Sequence, residues 1–404
     1  MPRTLRLPVA LVAAVVVAEV AVVLLRPRDS GPEPVVVDAR AYFSPGQIEK
    51  GRDFRRGQLA LYGARLLIEG GLLVLLVRRP PERLRRDYRR PVLAGATAAA
   101  ALSVALGLAP LPVSALARER AKDVGLVSQS WTGWLGDVAK GEAIGAAIAG
   151  AGGALLLLGM RRLGPRWWAP GAVVVVAFGI AFTYAGPVVL DPVFNRFTPL
   201  PAGRARTEVL DLARRAGLRV GEVYEVDASR RTTAANAYVT GLGHTKRVVI
   251  YDNLLRDFTP AETRLVVAHE LGHVRYHDVP RGLLYLAIVA PFGMLAVALL
   301  ADRLAPRDGQ RTPAALPAVA LAIALVSPAI TVVSNQLSRA VERRADVYSL
   351  QLTSEPRSLI DFQRRIAVKN VSDVDPPAWV SFMLGTHPPT LERIGAAEAF
   401  ERGR

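Results

Sequence analysis

The chain has 404 residues, with 51 Lys+Arg against 35 Asp+Glu for a formal net charge of +16, and a positive mean hydropathy of +0.25. Zero cysteines exclude disulfides, Cys-ligated zinc, iron–sulfur clusters and a thiol nucleophile. Its 51% apolar content excludes low-complexity disorder, and aromatics at only 6% suit lipid-facing helices better than a base-stacking surface.

Seven stretches are long and apolar enough to span a bilayer: 8–25, 58–77, 92–109, 141–160, 171–190, 281–301 and 313–335. The first lacks a small-residue cleavage site before Arg26, which predicts an uncleaved anchor. Glu19, Arg65, Glu69 and Glu142 fall in or at the edge of these spans, where charge is costly without a partner or a water-filled space. Arg65 and Glu69 are four apart on one face, so they either pair structurally or line an internal cavity. The fold class expected is mainly α, a polytopic membrane protein with a small α+β domain. Its parts are a membrane region at 1–190, a first polar segment at 191–280, two further spans at 281–335 and a second polar segment at 336–404. The segments 26–57 and 110–140 read as loops.

Within the first polar segment, Asn236-Ala237-Tyr238-Val239 and Lys246-Arg247-Val248-Val249-Ile250-Tyr251 alternate and are β-branched, predicting a strand or hairpin. It is either an exposed edge that holds an extended peptide, with Asn236, Ala237 and Tyr238 as substrate-binding candidates, or a core strand without substrate contact. Gly241-Leu242-Gly243 reads as a turn. Thr259-Pro260-Ala261-Glu262 then carries a capping box with Pro at the first helical position.

The helix that follows contains His269-Glu270-Leu271-Gly272-His273. Two histidines four apart project from one face and can reach a single tetrahedral ion, while Glu270 can take a proton from a metal-activated water. His277 continues the spacing but lies about 12 Å from His269 along the axis, so it reads as a helix-end residue or as one that supports the ligands from behind. After the last span, Glu342 and Asp346 are again four apart. Glu342 completes a two-His, one-Glu zinc site, and Asp346 can accept the free N–H of a ligating imidazole. His387, in Thr386-His387-Pro388-Pro389, is a candidate donor to the oxyanion, and Arg393 a further substrate-binding candidate or a salt-bridge partner.

This ordered set, from Thr233-Ala234-Ala235-Asn236-Ala237-Tyr238 through the metal helix to Glu342, Asp346 and His387-Pro388, resembles the type I CAAX prenyl endopeptidases, integral-membrane zinc metallopeptidases. The resemblance implies seven helices around a chamber closed by the zinc domain. It implies one zinc on His269, His273 and Glu342, Glu270 as base and acid, and His387 near the scissile carbonyl. The partners implied are the lipid bilayer and a peptide or membrane-protein substrate. A heat-shock-type quality-control protease is the nearest competitor, and a seven-span receptor or transporter with a non-catalytic metal site is the alternative of a different class.

Locating the charge also removes a nucleic-acid partner. Residues 1–7, 78–91, 161–170 and 302–312 carry a net +11 in 42 residues, whereas the longer segments on the other side carry +6 in 222. Short Arg-rich loops normally stay cytoplasmic, which puts the zinc domain of a cell-membrane protein outside. The eukaryotic relatives argue for the cytoplasmic face instead.

Overall fold

A computed structural model describes residues 3–29, 31–241, 246–306 and 311–403. Among them, seven helices are long and apolar enough to cross a membrane: Thr4–Leu25, Pro45–Arg78, Pro91–Leu108, Trp131–Arg166, Trp168–Phe194, Asp278–Leu304 and Ala315–Thr353. The mainly helical, multi-span class expected from the sequence is borne out. Several helices outrun their apolar stretches, because hydropathy marks only the part that suits lipid whereas caps mark where a helix starts. The second starts at Pro45 behind a Ser44–Gln47 capping box, and the fourth at Trp131 behind a Ser130 cap. The seventh has no break at 335, since its 39 residues run on through Glu342 and Asp346 to Thr353. The expected loop 110–140 contains the helix Leu111–Asp123.

Spans one, six and seven are the most buried helices of the bundle. Ala18, Ala21 and Val22 of the first pack on Tyr285 and Val289 of the sixth and on Val333 and Leu337 of the seventh. Small side chains let these backbones approach where lipid offers no hydrophobic drive. Arg65 and Glu69 do pair, at 2.7 Å, and Glu19 accepts a hydrogen bond from Gln336 Nε2 at 3.2 Å. The Arg-rich short loops meet at one end of the bundle: Arg161 bonds Asp87 at 2.9 Å and the Arg311 carbonyl at 3.4 Å, and the Ala314 amide donates to the Leu84 carbonyl at 2.9 Å.

The polar segments build one four-stranded sheet, β1 (Phe197–Pro199), β2 (Glu222–Val226), β3 (Ala237–Thr240) and β4 (Arg247–Tyr251), in the order β1-β2-β4-β3. β3 and β4 form the antiparallel pair expected, although Leu242 and Gly243 of the expected turn lie outside the described residues. β2 pairs parallel with β4, and β1 antiparallel with β2. One face packs Val223, Ala237, Val248 and Ile250 against Leu212, Leu265 and Leu271, together with Leu350 near the end of the seventh helix and Phe362 beyond it. Residues on either side of spans six and seven therefore share one core. The other face carries Tyr224, Tyr238 and Tyr251 around Val249.

Candidate metal centre

The metal helix, Pro260–Arg275, begins where the sequence predicts. Glu262 N–H donates to Thr259 Oγ1 at 3.3 Å, and Thr259 N–H donates to Glu262 Oε2 at 2.7 Å. Such a reciprocal cap satisfies amide groups that would otherwise be orphaned. The helix buries Leu265, Ala268, His269 and Leu271 and crosses the seventh helix at Gly272, where a Cβ would lie 3.1 Å from Tyr348 Cδ1 and 3.5 Å from Ala345 Cα. A small residue there brings the two ligand-bearing helices into contact.

At that crossing the three expected ligands converge. His269 Nε2 lies 3.1 Å from His273 Nε2 and 3.2 Å from Glu342 Oε2, and His273 Nε2 lies 3.6 Å from Glu342 Oε1. Both imidazoles are held from behind. His269 Nδ1 meets Asp346 Oδ1 at 2.9 Å, and Asp346 is gripped at both oxygens by Arg393, at 2.8 Å from Nε and 2.5 Å from Nη2. His273 Nδ1 meets Asp278 Oδ2 at 3.0 Å, Asp278 is paired with Arg344, and that guanidinium sits 4.2 Å over the Tyr276 ring. Each histidine is thus oriented by an aspartate that an arginine holds in turn. Sequence reasoning missed Asp278 and Arg344. Asp278 looks like an ordinary first-turn acid of span six, and only the left-handed backbone of His277 (φ 56°, ψ 43°) turns it back toward His273.

The donor set fits a divalent metal such as zinc. Glu342 Oε2 is buried without a hydrogen-bond partner while two imidazole nitrogens face each other beside it, an arrangement that calls for a shared cation. In metal-free protein the burial of His269 would favour its neutral form, but the carboxylates of Asp346 and Glu342 outweigh burial and push its pKa up to about 10. Metal must displace that proton. Binding at pH 7 is therefore expected to release about one proton per metal, with apparent affinity rising about tenfold per pH unit. Calorimetric titrations in buffers of different ionisation enthalpy measure this release, and a proton count near zero would contradict it.

Glu270 is half-buried, and burial pushes its carboxyl pKa up. It lines two cavities. One, of about 200 Å³, is bounded by Asn236, Leu265, Phe362, Ile366, His387 and Arg393. The other, of about 390 Å³, is bounded by Val239, Thr240, Lys246, His273 and His277. His387 is exposed, with Nε2 3.4 Å from Glu342 Oε2 and Nδ1 beside Thr386 Oγ1 at 2.9 Å.

The substrate-binding candidates lie in different settings. Asn236 is exposed, and its Oδ1 accepts from the Ala237 amide at 2.9 Å. Ala237 is buried in the core and its amide is held by Asn236 Oδ1, which leaves its carbonyl as the part that can meet a ligand. Tyr238 points to the opposite face of the sheet and donates to Asp191 Oδ2 at 3.0 Å, because alternation along β3 sends its side chain away from the metal helix. Arg393 is committed to Asp346. His277 lies outside the His269–His273–Glu342 cluster and forms the N-cap of span six.

A family model described as Peptidase family M48 matches residues 199–401. The uncharacterized metalloprotease YhfN of Bacillus subtilis is 34% identical over 249 residues, covering 60% of this chain and 58% of that protein. The CAAX prenyl protease 1 homolog of Oryza sativa subsp. japonica is 29% identical over 221 residues, covering 52% and 51%. CAAX prenyl protease 1 of Saccharomyces cerevisiae is 28% identical over 237 residues, again covering 52% and 51%. The chain spans a little over half the length of these curated relatives. The crystal structure of S. mikatae Ste24p aligns with a TM-score of 0.74 at 18% identity, covering 98% of this chain and 99% of that one, and so shares the fold. The kinship with CAAX prenyl endopeptidases expected from the motifs is borne out, and with the matched stretch taking in β2 to β4, the metal helix, Glu342 and His387, the chain belongs to peptidase family M48.

Proposed function

We propose that this chain is a membrane-embedded endopeptidase that binds one zinc ion through His269, His273 and Glu342 and hydrolyses peptides or membrane proteins. The observation carrying the reading is the pairing of a three-ligand cluster with Glu270 at the junction of two cavities. Zinc held there supplies the Lewis acidity that polarises a carbonyl and acidifies a water. Glu270 takes the water's proton and passes it to the departing amine, and its raised pKa makes it a competent acid on the second leg. His387, on the open side of the cluster, donates to the developing oxyanion. The apolar walls of the smaller cavity (Leu265, Phe362 and Ile366) suit an apolar substrate side chain beside the scissile bond. Seven spanning helices favour this reading over a heat-shock-type protease, which usually has fewer. Stripping the purified protein with a chelator is expected to abolish peptide cleavage, and one equivalent of zinc to restore it. Cleavage that survives complete metal removal would sink the proposal.

We infer from the loop charges that the catalytic side faces outward, against the analogy with the eukaryotic relatives. The chain's lack of cysteine makes this testable with single-cysteine variants at two exposed arginines. In intact cells Arg204→Cys, on the sheet domain, is expected to react with an impermeant maleimide, whereas Arg166→Cys, in a short loop, is expected to react only after lysis. The reverse pattern would invert the topology.

A further inference from the structure

The larger cavity holds chemistry that peptide hydrolysis alone does not require. It is lined by Glu270 and His273, by the end of β3, and by Lys246, His277 and Tyr184. Its walls Val239, Val274, Val279 and Pro280 are apolar. Lys246 is half-buried, and among the described residues its ammonium has no carboxylate partner, in a protein where most buried-side arginines are paired. His277 is held in the left-handed region, a conformation a residue with a Cβ adopts only at a cost, and this turn brings it to the cavity wall. An unpaired cation on the wall of a largely apolar cavity offers an anionic group a charge-assisted contact.

Antiparallel pairing with the free edge of β3 would set the direction of a bound peptide. The Tyr251 amide donates to the Asn236 carbonyl at 3.0 Å, which fixes the phase of the β3–β4 ladder. Tyr238 and Thr240 then spend their backbone groups on β4, and Ala237 and Val239 turn theirs to the free edge. β3 runs from Asn236, at the smaller cavity, to Gly241, at the larger one. A peptide pairing antiparallel with that edge runs the other way, so residues before the scissile bond occupy the cavity that contains Lys246.

We propose that Lys246 and His277 form an acid-selective subsite, and that the preferred substrates carry Asp or Glu at the positions just before the scissile bond that reach past the end of β3. This rests on the peptidase reading above. Two quenched-fluorescence peptides, identical except for Glu or Lys at those positions, test it on the zinc-loaded full chain. Wild type is expected to favour the Glu peptide about tenfold in kcat/KM, as fits one charge-assisted contact. Lys246→Glu is expected to invert the ratio, and Lys246→Arg to keep it; should the reversed charge prevent folding, Lys246→Gln is expected to bring the ratio toward one. Equal cleavage of both peptides, or a preference that Lys246→Glu leaves unmoved, would overturn the subsite. An acidic preference mapped by mass spectrometry to the far side of the cut would overturn the peptide direction and the subsite with it. Cleavage of neither peptide would instead remove the peptidase reading beneath both.

Discussion

Glu270→Gln is expected to lower kcat for peptide hydrolysis about 10²- to 10⁴-fold, the usual worth of a general acid–base group. Metal content is expected to stay at one ion per chain, because the proposed ligands are His269, His273 and Glu342 and the substitution is nearly isosteric. Glu270 lies on the same helix face region as both histidines, half-buried, with a cavity on either side. A glutamine there fills the same space but cannot accept the proton. Were the metal site incidental to a receptor or transporter, the substitution would leave function intact. Metal analysis and steady-state kinetics on one preparation separate the two outcomes, and lost metal accompanying lost activity would mean that Glu270 supports the site rather than the reaction.

The second large effect is expected at Arg393. Asp346 is 3% exposed and faces His269 on one side and the Arg393 guanidinium on the other. Arg393→Met removes the counter-charge and strands a buried carboxylate, a change that costs about 3–5 kcal/mol in comparable buried pairs. Asp346 can escape by taking up a proton, but it then orients His269 less well, and metal affinity is expected to fall about 10- to 100-fold. The double variant Arg393→Met, Asp346→Leu tests the cause. Replacing a buried pair with apolar groups is often neutral for stability, so denaturant midpoints are expected to recover in the double variant while metal affinity stays low. A double variant as unstable as the single one would show that Arg393 acts through packing instead.

These expectations draw on features of unequal visibility in the sequence. The metal helix was legible because its signals are local: a capping box at Thr259 and Glu262, a proline at the first position, and two histidines one turn apart. The Glu342–Asp346 pair was legible for the same reason, as a four-residue spacing on one helix. What the sequence hid depends on partners distant in the chain. Asp278 reaches His273 only because His277 reverses the backbone, and Arg344 grips Asp278 from 66 residues away. β2 is short and pairs parallel with β4, so no hairpin signal announced it. Tyr238 shows the opposite error. Strand alternation was visible, but which face would meet the metal helix was not, and its hydroxyl is bound to Asp191 instead. The seventh helix was divided at 335 because polarity changes there, although the backbone continues unbroken to Thr353.

The split core also explains why the site needs its membrane part. His269 and His273 precede span six, while Glu342 and Asp346 follow the apolar part of span seven on the same helix. Packing of those two spans against each other and against the first therefore sets the register between the histidines and the third ligand. Loss of packing in the bundle should be felt at the metal.

The central claim is that His269, Glu270, His273 and Glu342 hydrolyse peptide bonds at the membrane. Its most direct test compares new peptide termini in the membrane proteomes of cells carrying wild type or Glu270→Gln at equal abundance and equal metal loading. The account predicts a set of cleavage sites present with wild type and missing with Glu270→Gln. Identical sets of termini in the two samples would contradict it.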